Sequence, residues 1–219
     1  MFKMYTIDKE YINFLKEFDN RVPDVDYGGN VKLFIGKIYL TNNISLYIPI
    51  TSYKPKFETM KNTIDFIKIV NPVDDSIAGA IDINNMIPVP DTLATEFTYD
   101  TLRDNPAFKT LNDKDSYYQL VLNENRWFNS QENFIKENAE MVYKIVKQKK
   151  PRDSYITHRC CDYPKLLIKA IEYNDILKTS LEELTHRITR DYRKINSETP
   201  TYYENGHVEF NEKDKSKER

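Results

Sequence analysis

The chain has 219 residues, 40% of them hydrophobic and 30% charged, with 16 tyrosines and 11 phenylalanines; at a mean hydropathy of −0.67 this is enough apolar material for one sizeable core under a heavily charged surface. Met1-Phe2-Lys3-Met4-Tyr5 carries no apolar stretch of signal-peptide length and no uncharged run approaches a bilayer span, so secretion and membrane insertion are not expected and a cytoplasmic location is. A net charge of −2 is unfavourable for coating a nucleic acid, but residues 71–125 hold three Lys/Arg against ten Asp/Glu and residues 126–170 ten against five, so positive charge is segregated rather than absent.

Thr6 or Asp8 can cap a helix whose Tyr11, Phe14, Leu15 and Phe18 recur at three-and-four spacing and which should end before Pro23. Residues 31–41 and 45–50 are rich in β-branched and aromatic residues and are joined by Asn42-Asn43, a pair that tolerates the positive φ of a tight turn, so they read as a hairpin. Short strands are expected at 66–70, 77–83 and 86–89, separated by Asp, Asn, Gly and Pro, with no doubly wound βαβ pattern. The second half changes period: residues 117–128, then Phe134, Ile135, Met141, Val142, Ile145 and Val146, repeat at helical spacing. Ser130 is placed to cap between two antiparallel helices and Pro151 to stop the second. Residues 163–176 and 179–195 are two further amphipathic segments, the latter with Leu181, Leu184, Ile188 and Tyr192 on one face. Beyond residue 195 few apolar residues remain.

The chemistry concentrates in Tyr47-Ile48-Pro49-Ile50-Thr51-Ser52-Tyr53-Lys54, where two hydroxyls and an ammonium gather at the exit of an apolar strand. Such a group can bind and strain a phosphodiester. Were that phosphodiester one of RNA, cleavage without a metal would use the substrate's 2′-hydroxyl as nucleophile, with the protein aligning it, moving its proton, stabilising the phosphorane and protonating the leaving oxygen. Lys32, on the strand before, converges with Lys54 if the hairpin forms, and either can serve as acid or base once desolvation or a second cation lowers its pKa. Thr51 and Ser52 point to opposite faces of a strand, so one meets the phosphate while the other braces the loop. Ser52 is the first choice for the former, aligning oxygens rather than abstracting a proton. Taken singly, a Thr-Ser pair at a strand end is turn chemistry and a lysine is solvated; it takes the convergence of Lys32 with Lys54 together with the ordered motifs along the chain to point to catalysis.

Other chemistries find less support. His158, His186 and His207 lack ligand spacing, and the adjacent pairs Asp74-Asp75 and Glu182-Glu183 diverge, so no metal or cofactor is expected. Cys160 and Cys161 are too close for an unstrained disulfide and read as buried structural thiols. Gly28-Gly29 precedes a strand rather than a helix, which argues against a phosphate loop and nucleoside-triphosphate hydrolysis. Lys147-Gln148-Lys149-Lys150-Pro151-Arg152 by itself is a solvated helix end.

Five segments nonetheless occur in a telling order: Phe2-Lys3-Met4-Tyr5-Thr6-Ile7 with the helix and Arg21-Val22-Pro23 after it; Val31-Lys32-Leu33-Phe34-Ile35-Gly36; Pro49-Ile50-Thr51-Ser52-Tyr53-Lys54; Asn84-Asn85-Met86-Ile87-Pro88-Val89; and a helical half reaching Cys160-Cys161-Asp162-Tyr163. In this the chain resembles the ToxN/AbiQ/CptN family of type III toxins, endoribonucleases held inactive by a repeat-containing structured RNA. The likeness covers roughly the first three quarters of the chain. It implies an α+β fold, a strongly twisted antiparallel sheet curling into a Kid/MazF-like half-barrel with helices packed on it. It also implies metal-independent, sequence-preferring RNA cleavage to 2′,3′-cyclic phosphate and 5′-hydroxyl ends, in a toxin–antitoxin system serving abortive infection of phage.

By the same resemblance Lys32, Thr51, Ser52 and Lys54 match the family's active-site positions, while Tyr27 matches its tyrosine loosely, with one residue inserted before the lysine, and Tyr53 replaces a proline the family often carries. The implied partners are a pseudoknot antitoxin RNA, joined with the protein in a closed assembly of several copies, and cellular or phage RNA as substrate. Lys37, Lys56, Lys147, Lys149, Lys150 and Arg152 are the candidate RNA contacts. The chain then divides into an endoribonuclease domain (1–175), a helical extension (176–195) and a polar tail (196–219) expected to be disordered. Two rivals remain at this level: a non-catalytic RNA-binding scaffold of the same fold, and a protein-interaction module that uses 179–195 as a dimer surface.

Overall fold

The computed structural model describes residues 1–27, 30–41, 43–71, 74–103, 108–195, 199–202 and 208–211. The sheet elements of its first half are β1 (Lys3–Ile7), β2 (Asp26–Tyr27), β3 (Asn30–Val31), β4 (Phe34–Thr41), β5 (Ile44–Ser52), β6 (Phe66–Val70), β7 (Ile77–Asp82), β8 (Ile87–Pro90) and β9 (Ala94–Glu96). Seven of them form one antiparallel sheet in the order β6-β7-β5-β4-β1-β9, with β8 also on β5. Its ends do not pair, so the sheet is unclosed.

The strand β5 is apolar on both faces and lies at the centre for that reason: Ile44 to Ile50 are all buried, and exposure returns only at Thr51 and Ser52. Its first half pairs with β4 and with β8, from Ile44 opposite Pro90 to Tyr47 opposite Ile87. Its last three residues pair with β7, Thr51 facing Ala80 and Ser52 facing Gly79. Gly79 has a reason to be glycine, since a Cβ there would stand 2.5 Å from the Thr51 carbonyl oxygen.

The expected hairpin of 31–41 with 45–50 is present but shorter. β4 begins at Phe34, β3 makes a separate two-residue ladder with β2, and Lys32 and Leu33 fall between the two ladders. The Ile50 amide still donates to the Leu33 carbonyl at 2.9 Å, which holds that connection against β5.

Helix α1 (Lys9–Lys16) is capped by Asp8, whose carboxylate accepts from the Tyr11 amide at 2.8 Å. Its Tyr11, Ile12 and Leu15 are buried, and the Tyr11 hydroxyl donates to the Pro88 carbonyl at 2.6 Å. The helical half comprises α2 (Tyr99–Arg103), α3 (Leu111–Ser130), α4 (Glu132–Gln148), α5 (Ser154–Thr157) and α6 (Tyr163–Ile195). Helix α3 opens on a capping box formed by Thr110 and Asp113. Ser130 does not cap α4: its hydroxyl donates back to the Trp127 carbonyl at 2.7 Å, and Gln131 separates the helices without a side-chain cap. The helices anchor on the turn Ile83–Asn85 between β7 and β8, through the Tyr163 hydroxyl, which donates to the Ile83 carbonyl at 2.8 Å, and through the Cys161 amide on the Asn84 carbonyl at 2.8 Å. Cys160 and Cys161 are both buried, as read from the sequence.

The two segments 163–176 and 179–195 are one continuous helix of 33 residues. Thr179, at the expected break, donates its hydroxyl to the Asp175 carbonyl at 3.0 Å and so fits the helix interior. By its contacts the chain divides into Met1–Glu172 and Tyr173–Arg219. Within 196–219, expected to be disordered, β10 (Thr199–Tyr202) pairs antiparallel with β11 (Val208–Asn211). Val208-Glu209-Phe210-Asn211 alternates β-branched or aromatic with polar residues, a local pattern that the polar composition of the tail conceals. Among the described residues no helix is long and apolar enough to cross a membrane.

Candidate active site

The exit of β5 brings chemistry together because β5 and β7 share a register. With Thr51 opposite Ala80, Asp82 is Thr51's diagonal neighbour on the same face of the ladder. The Thr51 hydroxyl donates to the Asp82 carboxylate and accepts from the Lys32 ammonium at 3.2 Å. A chain of three groups results, in which the carboxylate fixes the hydroxyl and the hydroxyl fixes the lysine.

Burial is the main cause that lowers the Lys32 pKa from 10.5 to about 8; the Lys54 charge lowers it further and Asp82 opposes both. Burial in turn lifts the Asp82 carboxyl above the usual range, against the Thr51 hydrogen bond and the charges of Lys32, Lys54 and Lys56. Lys54 itself is exposed. The site therefore holds two lysines in different settings, Lys32 largely buried against Thr51 and Lys54 open to solvent.

Two clefts meet here. One, of about 300 Å³, is lined by Lys56, Phe57, Asp82, Asn85 and Arg159 among others. The other, of about 410 Å³, is lined by Lys32, Leu33, Ser52, Tyr53, Tyr117 and Glu124 among others. Thr51 and Lys54 line both, so they stand at the junction of the two clefts. Arg159 is held in the smaller cleft by Asp65, 1% exposed, through a bidentate pair whose Nη2 contact is 2.6 Å.

The structure brings Lys32, Thr51, Ser52 and Lys54 together. Tyr27 lies in β2, and its side chain is outside the described residues. Of the candidate RNA contacts, Lys56 lines the smaller cleft. Lys37 lies elsewhere on the sheet, paired with Asp91 at 2.7 Å. Lys147, Lys149, Lys150 and Arg152 are exposed around the end of α4 and line neither cleft; Lys149 pairs with Asp162 at 2.8 Å, and Arg152 stands 3.8 Å from Asp153.

Sequence reasoning missed Asp82, Arg159 and Glu124. Asp82 carries no sequence signal beyond an acid at a strand end. Glu124 had one: it follows Tyr117 and Val121 and precedes Phe128 at three-and-four spacing, an acid on the buried stripe of a helix. Among the described residues no group of three or more His, Cys, Asp or Glu is placed to hold a metal ion.

Residues 3–172 match the family described as Toxin ToxN, type III toxin-antitoxin system. The chain belongs to that family. It is 30% identical over 176 residues to the endoribonuclease ToxN of Bacillus thuringiensis subsp. kurstaki, covering 79% of this chain and 84% of that one. It is 27% identical over 183 residues to the endoribonuclease AbiQ of Lactococcus lactis subsp. lactis, covering 78% and 89%. A toxin structure solved in work on selective toxin inhibition by a non-coding RNA pseudoknot superposes with a TM-score of 0.67 at 30% identity, covering 79% of this chain and 98% of that one. The ToxN match ends at residue 172, where the first structural unit also ends. The α+β architecture implied by the resemblance is thus the one observed, and the second unit, Tyr173–Arg219, lies beyond the family's match.

Proposed function

We propose that this chain is a metal-independent, sequence-preferring endoribonuclease toxin of a type III toxin–antitoxin system, acting in the cytoplasm, inhibited by a pseudoknot antitoxin RNA and serving abortive infection. The observation that carries the reading is the Lys32–Thr51–Asp82 hydrogen-bonded chain beside Ser52 and Lys54 at the junction of two clefts.

In the proposed reaction Lys32, as the free amine, accepts the proton of the substrate's 2′-hydroxyl while that oxygen attacks phosphorus. At a pKa of about 8, roughly a tenth of Lys32 is free amine at pH 7, enough to act without a large energetic penalty. Lys54 neutralises the charge gathering on the phosphorane oxygens and delivers a proton to the departing 5′-oxygen. Ser52 donates a hydrogen bond to a non-bridging oxygen and holds the attack in line. Thr51 and Asp82 are positioning residues that keep the Lys32 nitrogen fixed. The P–O5′ bond breaks as the P–O2′ bond forms, leaving a 2′,3′-cyclic phosphate and a 5′-hydroxyl. The antitoxin RNA occupies the same clefts and, by bridging copies of the protein, closes a protein–RNA assembly.

Induction of the chain alone, beside Ser52→Ala, with mapping of RNA ends tests the reading. Growth arrest by the wild type and not the variant, with cyclic-phosphate ends at a recurrent short sequence, is the expected result. Unarrested growth and unchanged RNA ends from soluble wild-type protein would leave an RNA-binding scaffold as the better account.

A further inference from the structure

The larger cleft contains more than the cleavage chemistry uses. Leu33 and Ile50 are apolar and mostly buried, Tyr53 and Leu120 are 44% and 45% exposed, and Tyr117 from α3 joins them. The remaining lining residue from α3 is Glu124, a carboxylic acid only 8% exposed. It makes no hydrogen bond or ion pair among the described residues, and burial alone pushes its pKa up to about 7. The pKa of Lys32, in contrast, responds to the charges of both Asp82 and Lys54. Among the described residues burial is the one cause of that rise, so Glu124 stands apart from Lys32, Asp82 and Lys54 although it lines the same cleft as Lys32 and Lys54.

An unpaired acid buried at a protein's surface costs stability, and this one borders a cleft whose volume of about 410 Å³ is that of a small-molecule pocket. Aromatic and apolar walls accept the flat face of a base, which stacks without regard to sequence. A carboxylate at the edge of such a slot accepts from an amino group and repels a carbonyl. Adenine, guanine and cytosine present an exocyclic amino group on the Watson–Crick edge; uracil presents carbonyls on either side of a single N–H. Lys32 lines this cleft and not the smaller one, so the nucleotide whose 2′-hydroxyl reacts is the one that enters it.

Resting on the ribonuclease reading above, we propose that this cleft is the subsite for the base immediately upstream of the scissile phosphate, and that Glu124 selects there a base with an exocyclic amino group over uracil. Glu124 is a specificity-determining residue in this account and takes no part in the bond changes.

The test is cleavage of an RNA pool of random sequence by the full chain, by Glu124→Gln and by Glu124→Ala, with the upstream base read at every cut. At pH ~8.5, where Glu124 with its pKa of about 7 is ionised, the wild type should cut after uracil about tenfold less often than its share of the pool predicts. Glu124→Gln, whose amide both donates and accepts, should bring uracil to within two- or threefold of its share, and Glu124→Ala should flatten the preference among all four bases. Preferences at other positions should not move. A merely structural Glu124 would shift the melting temperature and leave the upstream base unchanged, which overturns the proposal. So would wild-type cutting after uracil at its share of the pool, or loss of all cleavage by both variants while they remain folded, since that would place Glu124 in the chemistry. Absence of cleavage by the wild type would instead sink the ribonuclease reading.

Discussion

Replacing Asp82 by Asn should move the pH dependence of cleavage to lower pH. The change removes a negative charge, while the amide oxygen can still accept from Thr51. Lys32 Nζ is 3.2 Å from the Thr51 oxygen, and a further ordinary hydrogen-bond length of about 2.7 Å puts the carboxylate oxygen at most about 6 Å from the ammonium. At that distance and an effective dielectric of about 20, the attraction is roughly 2.8 kcal/mol, equivalent to about two pH units and an upper limit because solvent screens part of it. Losing the attraction destabilises the ammonium, so the Lys32 pKa falls below its value of about 8 by roughly half a unit to two units. Single-turnover cleavage of a short RNA, followed between pH ~6 and ~9.5, should show the rising limb displaced downward by that amount. Lys54→Met is the converse, because the Lys54 charge lowers the Lys32 pKa: its residual activity should show the limb displaced upward. Limbs that stay in place, or that move the same way in both folded variants, would refute Lys32 as the group whose deprotonation drives the rate.

Three further outcomes follow from the geometry. Gly79→Ala places a Cβ 2.5 Å from the Thr51 carbonyl oxygen; the ladder must shift, at about 1–3 kcal/mol in urea unfolding, and cleavage should fall at least ~tenfold because the site moves with it, so unimpaired cleavage would contradict the close packing of β5 on β7. Asp65 and Asp19 are held below the usual carboxylate range: burial pushes each up, but Arg159 with the Thr63 hydroxyl on Asp65, and Arg21 with the backbone amides of Asp162 and Arg21 on Asp19, together outweigh it. Such depressed groups stabilise the fold above pH ~4 and lose that contribution as pH falls through their folded values. Arg159→Ala should therefore cost about 2 kcal/mol near neutral pH, discounted from a fully buried pair because Arg159 is 44% exposed. The gap to wild type should narrow in urea titrations at pH ~3; an equal gap at both pH values would show that the pair contributes packing alone. A chain truncated after Asp175 should keep both cleavage and its assembly with RNA by native mass spectrometry, since the ToxN match ends at residue 172; a lost assembly would give the extension the binding role.

Much of the sheet could be read from local pattern. The strands β6, β7 and β8 and the hairpin around Asn43 stand where β-branched runs meet Asn, Asp and Pro, and α1 starts at one of its two candidate caps. Errors arose where a local pattern was ambiguous. Lys32 and Leu33 look like strand but fall between two ladders, because β-branched neighbours do not determine where a register ends. The helix α6 runs through Thr179 because a threonine hydroxyl can bond within its own helix. That Lys32, Thr51, Ser52 and Lys54 form one group was legible because they sit in ordered motifs, and they do line one cleft. Asp82 was not, as its meaning depends on a pairing 31 residues away in sequence. The Asp65–Arg159 pair spans 94 residues, and no local pattern encodes a contact of that reach.

The strand β5 carries the centre of the core and the two hydroxyls of the proposed site on one uninterrupted stretch of backbone. In the proposed mechanism catalysis and folding are thus joined at a single segment, with no loop to absorb a change in one before it reaches the other. Selection for harmless variants of this toxin should therefore recover substitutions at Leu46, Ile48 or Ile50 alongside those at Ser52, and survivors from either group should be hard to tell apart by phenotype alone. A population escaping the toxin has a broad target here, while the lineage that keeps it active must hold these nine residues to two demands at once.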